Sequence, residues 1–289
     1  MSPFGQVSRR RRNQARVGVA VMAAAAFSSL GVLAFLLWTI LSKGLPALSL
    51  DFLASFPSRF PERAGIQAGL VGTLWVGAAS MLVALPIGIM AAIYLHEFAP
   101  ANRFTSILRA SIANLAGVPS VVFGILGLAL FVRAFQLGNS IAAAGLTLGL
   151  LTMPIVIVVS EEALKSVPRS IREAAFGLGA TRWQAVRHHV LPYSLPGMLT
   201  GAILALSRTM GETAPLIVIG AAFFIDFLPS SPTDPFTALP MQAYKWADEA
   251  DPAFHTLAWG AVLVLLVFVL LGNLAAILLR DRFQRRYRW

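Results

Sequence analysis

Six stretches of this chain are long and apolar enough to cross a lipid bilayer as helices. They lie near residues 17–41, 66–95, 112–135, 139–160, 194–225 and 257–279. A spanning helix needs about 20 mainly apolar residues, because the hydrocarbon core is about 30 Å thick. Only 12% of the residues are charged, whereas a soluble domain carries about 25%. The sequence therefore predicts an all-α, polytopic membrane protein with six transmembrane helices.

The first stretch follows a cluster of arginines, Arg9 to Arg12, as the apolar part of a secretory signal peptide also does. Residues 17–41 are uncharged throughout, however, and a signal peptide has an apolar run of only about 7–15 residues. We therefore expect a retained membrane anchor. We divide the chain into residues 1–65 (basic tail, first helix and external loop), a five-helix core over 66–280 and a basic tail over 281–289.

The lysines and arginines lie mainly on one side of the predicted bundle. If the N-terminus is cytoplasmic, the basic residues of both tails and of residues 161–193 lie inside. The basic residues of the outer loops are then Lys43, Arg59, Arg63 and Lys245. Because cytoplasmic segments are enriched in Lys and Arg, we expect both termini to be cytoplasmic and the protein to lie in the cell (inner) membrane. The net charge of +10 then reflects topology, and we expect no nucleic acid as a partner.

An acidic, proline-rich segment, residues 226–256, connects the last two spans on the predicted outer side. Its prolines interrupt any long helix. The pattern fits a solvated connector and a docking surface for an extracytoplasmic partner equally well.

Residues 173–192, EAAFGLGATRWQAVRHHVLP, form a polar segment between two apolar spans. Ala174 and Ala175 keep one helical face thin, and Gly179 permits the positive φ of a tight turn. Pro192 is expected to end the second helix before the next span begins. The pattern predicts a helix–turn–helix within a cytoplasmic loop of about residues 161–193, able to fit a groove in another subunit. An ordinary amphipathic loop is the alternative.

This segment resembles the EAA loop of the permease subunits of ATP-binding-cassette importers. The residues that match the pattern are Glu173, Ala174, Ala175, Gly179, Leu191 and Pro192. The spacing is kept throughout, but His189 occupies a position that is usually apolar. The resemblance implies that these residues couple the chain to a separate ATPase, with Glu173 and Gly179 contributing most directly.

The chain has no phosphate-binding loop of the form GxxxxGK[ST]. We therefore expect ATP and Mg²⁺ to be bound by the partner ATPase and no cofactor to be bound by this chain. There is no cysteine, and the four histidines lack metal-ligand spacing. We expect no metal site and no catalytic residue, so the chain would be a non-catalytic subunit of an ATP-hydrolysing complex.

The residues expected to meet the substrate lie in LSRTMGETAPLI, residues 206–217, within the fifth span. Arg208 would lie about 21 Å along this span, near the bilayer midplane, where a charge is costly and usually marks a pathway or a partner. Glu212 follows four residues later and can share its helical face. The two residues form either an anion site or a static ion pair. The remaining candidates, which would also loosen the helix, are Gly211, Thr213 and Pro215.

Four further segments carry a more specific pattern: LAGVPSVVFGILGL at 115–128, GETAPLI at 211–217, LPMQAYKWA at 239–247 and GNLAAILLRDRFQRR at 272–286. They resemble the PstA family, the permease subunits of high-affinity phosphate importers. The resemblance implies a MetI-like permease core and inorganic phosphate as the substrate. It also implies a PstC-like companion permease, a homodimeric PstB-like ATPase and a PstS-like phosphate-binding protein as partners.

The guanidinium of Arg208 suits phosphate, because it stays protonated and offers several fixed donors to a tetrahedral oxyanion. It would suit sulfate or molybdate equally well, so another oxyanion or a phosphonate is the nearest alternative. A secondary transporter and a phosphate-signalling membrane scaffold are alternatives from other classes. In the third span, Gly117, Pro119 and Ser120 could add donors to the anion's path, although a helix-packing kink is the simpler interpretation.

Overall fold

The computed structural model describes residues 9–222 and 224–286. Within these ranges the chain is mostly helical, and its α-helices are α1 (Arg9–Gly44), α2 (Leu50–Ala54), α3 (Gln67–Ile93), α4 (Arg103–Leu115), α5 (Ser120–Gly127), α6 (Ile141–Lys165), α7 (Arg169–Gly177), α8 (Arg182–Ala185), α9 (Leu191–Gly211), α10 (Ala214–Val218), α11 (Leu239–Ala247) and α12 (Pro252–Arg286). The described ranges also contain π-helical turns. Tyr94–Phe98 extends α3, Leu128–Ala134 extends α5, and Val186–Val190 joins α8 to α9.

Five helical segments in the described part of the chain are long and apolar enough to cross a membrane. They are Asn13–Ala47, Gln67–Phe98, Ile141–Lys165, Arg182–Gly211 and Pro252–Arg282. A sixth candidate is a bent pair formed by α4 and by α5 with its π-helical turn. The prediction of an all-α, polytopic membrane protein is therefore confirmed.

The predicted third span, residues 112–135, is not one straight helix. Its first part belongs to α4, its second part to α5, and the two axes differ by 99°. Pro119 precedes α5 with φ −55° and ψ 135°, and a proline also disfavours helical geometry in the residue before it. The piece Ser120–Ala134 covers about 22 Å, which is less than the thickness of a hydrocarbon core.

α3 and α6 form the centre of the bundle and run parallel. Gly145 of α6 lies against Ala79 of α3, and further along both helices Gly88 of α3 lies against Val156 of α6. A methyl group at Gly145 would come within 2.5 Å of the Ala79 Cβ, so the close approach requires glycine. Because residue numbers increase in the same direction in both contacts, the N-termini of α3 and α6 lie at the same end of the bundle.

Residues 232–235 cover the N-terminus of α6 at that end. The backbone N–H groups of Ile141 and Ala142 donate to the carbonyl oxygens of Asp234 (3.2 Å) and Pro232 (2.8 Å). These bonds satisfy N–H groups that the first turn of a helix leaves without intrahelical acceptors.

α11 then packs against the beginning of α3. The Leu239 N–H donates to Thr73 Oγ1 at 2.9 Å, and Gln242 Nε2 donates to the Gly65 carbonyl at 2.8 Å. Phe236, Leu239 and Gln242 are buried. This part of the segment 226–256 therefore belongs to the packed core, and of the two interpretations the solvated connector does not describe it.

The predicted fifth span, residues 194–225, begins and ends earlier in the structure. One helix runs from Arg182 to Gly211, through α8, the π-helical turn and α9. The prediction that Pro192 ends a helix is wrong. In the π-helical turn before it the Leu191 N–H bonds to the Val186 carbonyl, five residues back, and Pro192 then occupies the first turn of α9, where a missing N–H is tolerated.

α1 lies at the edge of the bundle and contacts α12. Gly44, its last residue, lies against the Trp259 carbonyl and the Leu263 side chain. Most of its apolar side chains are exposed, including Phe27 and Phe35. Such a surface on a long apolar helix suits contact with lipid.

Candidate functional site

The predicted coupling loop forms two short helices at the end of the bundle opposite residues 232–235; we call this the α7 end. α7 carries Glu173, Ala174 and Ala175, and Gly179 follows it with φ 84°. Glycine adopts this left-handed conformation without steric cost. The Gly179 N–H donates to the Phe176 carbonyl at 2.9 Å and closes the turn. The predicted helix–turn–helix with a positive φ at Gly179 is confirmed.

The second helix of the loop begins with a reciprocal cap. The Gln184 N–H donates to Thr181 Oγ1 at 3.3 Å, and the Thr181 N–H donates to Gln184 Oε1 at 2.8 Å. Val186 and Val190 face the core, whereas His189 is exposed. The histidine at the usually apolar position therefore points away from the packed face, which the two valines supply.

The turn between α7 and α8 presents apolar side chains to solvent. Leu178 is 89% exposed, and Phe176 and Trp183 are about half exposed. Ala175 is buried, whereas Glu173 and Ala174 are exposed. Exposed apolar side chains grouped in a polar segment are typical of a protein-docking surface. The sequence analysis did not identify Leu178, although an apolar residue directly before the turn glycine of a polar segment could have indicated it.

Arg172 ties α7 to the core. Its Nη2 and Nε donate to Glu97 Oε1 at 2.7 and 3.3 Å. Its Nη1 donates to the Val167 carbonyl at 2.9 Å, and Nη2 also donates to the Leu164 carbonyl at 3.1 Å. Every guanidinium nitrogen thus has a protein acceptor, and Glu97, at the end of α3, is buried.

A second ion pair joins α4 to α6 at the same end. Arg109 Nε lies 3.2 Å from Glu161 Oε1, and Arg109 Nη2 donates to the Leu95 carbonyl. Together with the Arg172–Glu97 pair, it fixes α3, α4, α6 and α7 relative to one another. Sequence analysis identified none of these four charged residues, because the partners are far apart in the chain.

Arg208 lies in the last turn of α9, away from both ends of the bundle. Its Nε is 3.3 Å from Glu212 Oε1, and the two side chains are 41% and 17% exposed. Met210, two residues on, packs against Gly77, which lies about 15 Å along α3. The predicted pairing is confirmed. Within the described ranges Arg208 Nη1 and Nη2 have no hydrogen-bond partner, so the guanidinium presents free donors.

The helix breaks immediately after this pair. α9 ends at Gly211, and Glu212 is extended with φ −74° and ψ 125°. Thr213 precedes α10, whose Pro215 is buried and lies so close to Gly124 of α5 that a methyl group there would be 2.8 Å from the proline Cα. The predicted interruption at Gly211 and Pro215 is confirmed, but Glu212 lies beyond the helix rather than on its face.

Gly117, Pro119 and Ser120 lie at the break between α4 and α5. The Gly117 N–H donates to the Asn114 carbonyl at 3.0 Å, in a turn that ends at Pro119. The kink that the sequence suggests is therefore present. α5 approaches the Arg208 region through Gly124, about one turn beyond Ser120.

Relatives that match most of this chain are named as permeases. The phosphate transport system permease protein PstA of Haemophilus influenzae is 33% identical over 242 residues, which cover 84% of this chain and 85% of that protein. The phosphate transport system permease protein PstA 1 of Mycobacterium tuberculosis is 31% identical over 293 residues, covering 99% and 93%. The probable ABC transporter permease protein YqgI of Bacillus subtilis is 31% identical, covering 82% and 85%.

Solved structures of ABC transporters share the fold. A chain of the inward-facing MetNI methionine ABC transporter matches with a TM-score of 0.63 and 21% identity, over 74% of this chain and 94% of that chain. A bacterial ABC transporter involved in alginate import matches with a TM-score of 0.67 and 15% identity, over 94% and 99%. The predicted MetI-like permease fold is therefore confirmed.

The family model described as the binding-protein-dependent transport system inner membrane component matches residues 84–289. This range includes the coupling loop, the Arg172 anchor and the Arg208–Glu212 pair. The match extends over most of the chain and agrees with the fold and with the relatives. The chain belongs to the family of binding-protein-dependent transport system inner membrane components.

Proposed function

We propose that this chain is the transmembrane permease subunit of an ATP-driven importer of inorganic phosphate. The observation that carries the proposal is Arg208, a partly exposed arginine deep in the bundle with free donors. A charge at such a depth needs a partner or a water-filled path, and its donors match a tetrahedral oxyanion. Among oxyanions, phosphate is favoured because relatives of this chain are named as phosphate transport system permeases. Gly211, Glu212, Thr213 and Pro215 complete the proposed site.

One helix connects the coupling loop to this proposed anion site. Arg182 begins it and Arg208 lies in its last turn, about 39 Å away. A partner that displaces α7 and α8 would therefore move Arg208 through a continuous helix. We assign ATPase docking to the exposed residues Glu173, Ala174, Leu178 and Gly179. The buried Ala175 packs α7 against the core, and Leu191 and Pro192 connect the coupling loop to the span.

In the proposed cycle the α7 end and both termini are cytoplasmic, and the protein lies in the cell (inner) membrane. A PstS-like phosphate-binding protein delivers the anion at the opposite end. A homodimeric PstB-like ATPase, which holds ATP and Mg²⁺, binds the cytoplasmic side of this chain and of a PstC-like companion permease. Closure of the ATPase dimer opens the translocation pathway between the two permeases to the outer side. Hydrolysis returns the pathway to the inward-facing state and releases phosphate.

Uptake of labelled phosphate tests the proposal. The chain is expressed with its companion permease, ATPase and binding protein in cells that lack their own high-affinity uptake. We expect uptake that requires ATP hydrolysis and is inhibited by excess phosphate but not by sulfate, molybdate or a phosphonate. Equal competition by one of these anions would contradict the phosphate assignment, and uptake that survives an inactive ATPase would indicate a secondary transporter.

A second experiment tests the docking surface. Leu178→Ser removes the exposed apolar side chain at the turn, whereas Leu50→Ser changes a similarly exposed leucine in α2. We expect the Leu178 variant to retain less ATPase on purification, because an apolar side chain buried at an interface contributes about 1.5–3 kcal/mol. Equal retention by both variants would exclude Leu178 from the interface.

A further inference from the structure

We infer that Phe98, the last residue of the π-helical turn that extends α3, is a positioning residue that makes α3 move together with α8 and α9. The inference rests on the proposed import function. It names a residue that helps to transmit the motion of the coupling loop to the surroundings of Arg208. The sequence analysis did not identify Phe98, because its partners lie far away in the chain.

Phe98 contacts the first two residues of α8. The guanidinium carbon of Arg182 lies 5.4 Å from the centre of the Phe98 ring, a distance at which a cation is attracted to the face of an aromatic ring. The ring centres of Phe98 and Trp183 are 6.3 Å apart, and the ring planes are tilted by 43°, which is a favourable arrangement for two aromatic side chains. Phe98 is only partly exposed, so its ring connects α8 to the end of α3.

The residue before Phe98 contacts the other helix of the coupling loop. Glu97 accepts two hydrogen bonds from the guanidinium of Arg172 in α7. Adjacent residues of α3 therefore contact α7 and α8, and we call Glu97 and Phe98 the α3 tether. Because both short helices are attached to the same point, a partner that displaces the coupling loop displaces α3 as well.

The middle of α3 lies against the proposed anion site. Gly77 is about 32 Å from Phe98 along α3, and it packs against Leu206 and Met210 of α9. These two residues lie on either side of Arg208 in the sequence. Two helices, α3 and α9, therefore lead from the coupling loop to the surroundings of Arg208.

The α3 tether makes the two helices shift as one unit. α9 is displaced directly, because α8 continues into it through the π-helical turn Val186–Val190. Without the tether, α8 and α9 would shift while α3 stays in place, and Met210 would slide across Gly77 in a shear motion. With the tether, the part of α3 around Gly77 follows α9, so closure of the ATPase changes both sides of this contact.

The coupling between ATP hydrolysis and uptake tests the inference. The complete transporter is purified and placed in lipid vesicles with the binding protein outside. Phe98→Leu removes the ring and keeps an apolar side chain, Phe98→Tyr keeps the ring, and Phe104→Leu changes a phenylalanine of α4 that is 71% exposed. We expect Phe98→Leu to retain ATP hydrolysis but to lower the phosphate taken up per ATP hydrolysed about fivefold, because both ring contacts are lost. Phe98→Tyr and Phe104→Leu should keep the ratio of the wild type.

Two results would overturn the inference. One is a ratio in Phe98→Leu equal to that in Phe104→Leu. The other is a parallel loss of hydrolysis and uptake with an unchanged ratio, which would show that Phe98 only stabilises the fold.

A second pair of variants tests the tether if Phe98→Leu does not assemble. Arg182→Met removes the cation from the face of the Phe98 ring, whereas Arg182→Lys retains a cation. We expect the ratio to fall about twofold in Arg182→Met and to stay near that of the wild type in Arg182→Lys. Equal ratios in the two variants would contradict the tether.

Failure of the proposed function gives a different result. If the wild type takes up sulfate, molybdate or a phosphonate but no phosphate, the phosphate assignment is wrong, and the ratio measured with that anion decides on the tether. If the wild type hydrolyses ATP and takes up none of these anions, the proposed function and the inference both fail.

Discussion

The pairs Arg172–Glu97 and Arg208–Glu212 contain the same two side chains in different surroundings. In the first, the side chains are 18% and 7% exposed, the shortest N–O distance is 2.7 Å, and every guanidinium nitrogen has a protein acceptor. In the second, the exposed fractions are 41% and 17%, and only Nε bonds to the carboxylate within the part of the chain that the structure describes.

This difference separates a structural arginine from one that can bind a ligand. The donors of Arg172 are used within the protein, so an anion would have to displace buried acceptors. Arg208 keeps two nitrogens for an external acceptor and loses only one contact when its carboxylate moves away. The number of unused donors therefore identifies Arg208 as the candidate anion site, although both pairs satisfy the same distance criterion.

The largest effect is expected from Glu97→Gln. Removing one partner of a buried ion pair leaves an uncompensated charge and typically costs about 3–5 kcal/mol. We expect a clear fall in the thermal unfolding temperature of the purified protein. Glu162→Gln is the matched control, because Glu162 bonds to Lys165 at 2.6 Å but both side chains are well exposed. Such a pair contributes at most about 1 kcal/mol, so similar losses in both variants would contradict the assignment of Arg172–Glu97 as a buried anchor.

The anchor also shows what local sequence patterns do not reveal. Arg208 and Glu212 are four residues apart, so their pairing is visible in the sequence. Arg172 and Glu97 are 75 residues apart and meet only because α7 folds back against the end of α3. The spans could be predicted from hydropathy because hydropathy, like the Arg208–Glu212 spacing, depends only on residues that are neighbours in the chain.

The helix boundaries near prolines show a second limit of sequence reasoning. Pro119 breaks the chain between α4 and α5, whereas Pro192 lies inside a segment that continues from Arg182 to Gly211. The difference depends on the π-helical turn before Pro192, which rearranges the hydrogen bonds of the preceding residues. No local pattern of residue types distinguishes the two prolines.

Arg208→Gln is expected to remove transport without weakening the fold. Loss of charge-assisted donors to an anion should lower phosphate uptake at least about tenfold, while the unfolding temperature stays near that of the wild type. Arg133→Gln, which changes an exposed arginine at the end of the α5 segment, serves as the control. An unfolding temperature that falls as far as in Glu97→Gln would show that Arg208–Glu212 is a static structural pair.

Glu212→Gln tests the same pair from its acidic side. The pair has one contact and a largely accessible arginine, so we expect the free energy of unfolding to change by less than about 1 kcal/mol. The freed Arg208 should hold the anion longer, which lowers both the KM and the maximal rate of phosphate uptake. A rise in KM instead would indicate that Glu212 orients Arg208 rather than competing with the anion.

The smallest effect is expected at Asp234, a carboxylate that is held by N–H groups instead of an arginine. Its Oδ2 accepts hydrogen bonds from the backbone N–H of Ser230 (2.9 Å) and of Ser231 (2.8 Å). These hydrogen bonds lower the pKa of Asp234 below its usual 3.8, and the bond from Ser230 has the larger effect. The stabilisation that the ionised Asp234 carboxylate gives to the loop is therefore present above about pH 4 and is lost as the pH falls through the lowered pKa.

Asp234→Asn should speed amide exchange in residues 230–235 at pH 7 and much less at pH 3, whereas Asp226→Asn should have no effect at either pH. An equal effect of Asp234→Asn at both pH values would mean that the shape of the side chain, and not its charge, holds the loop.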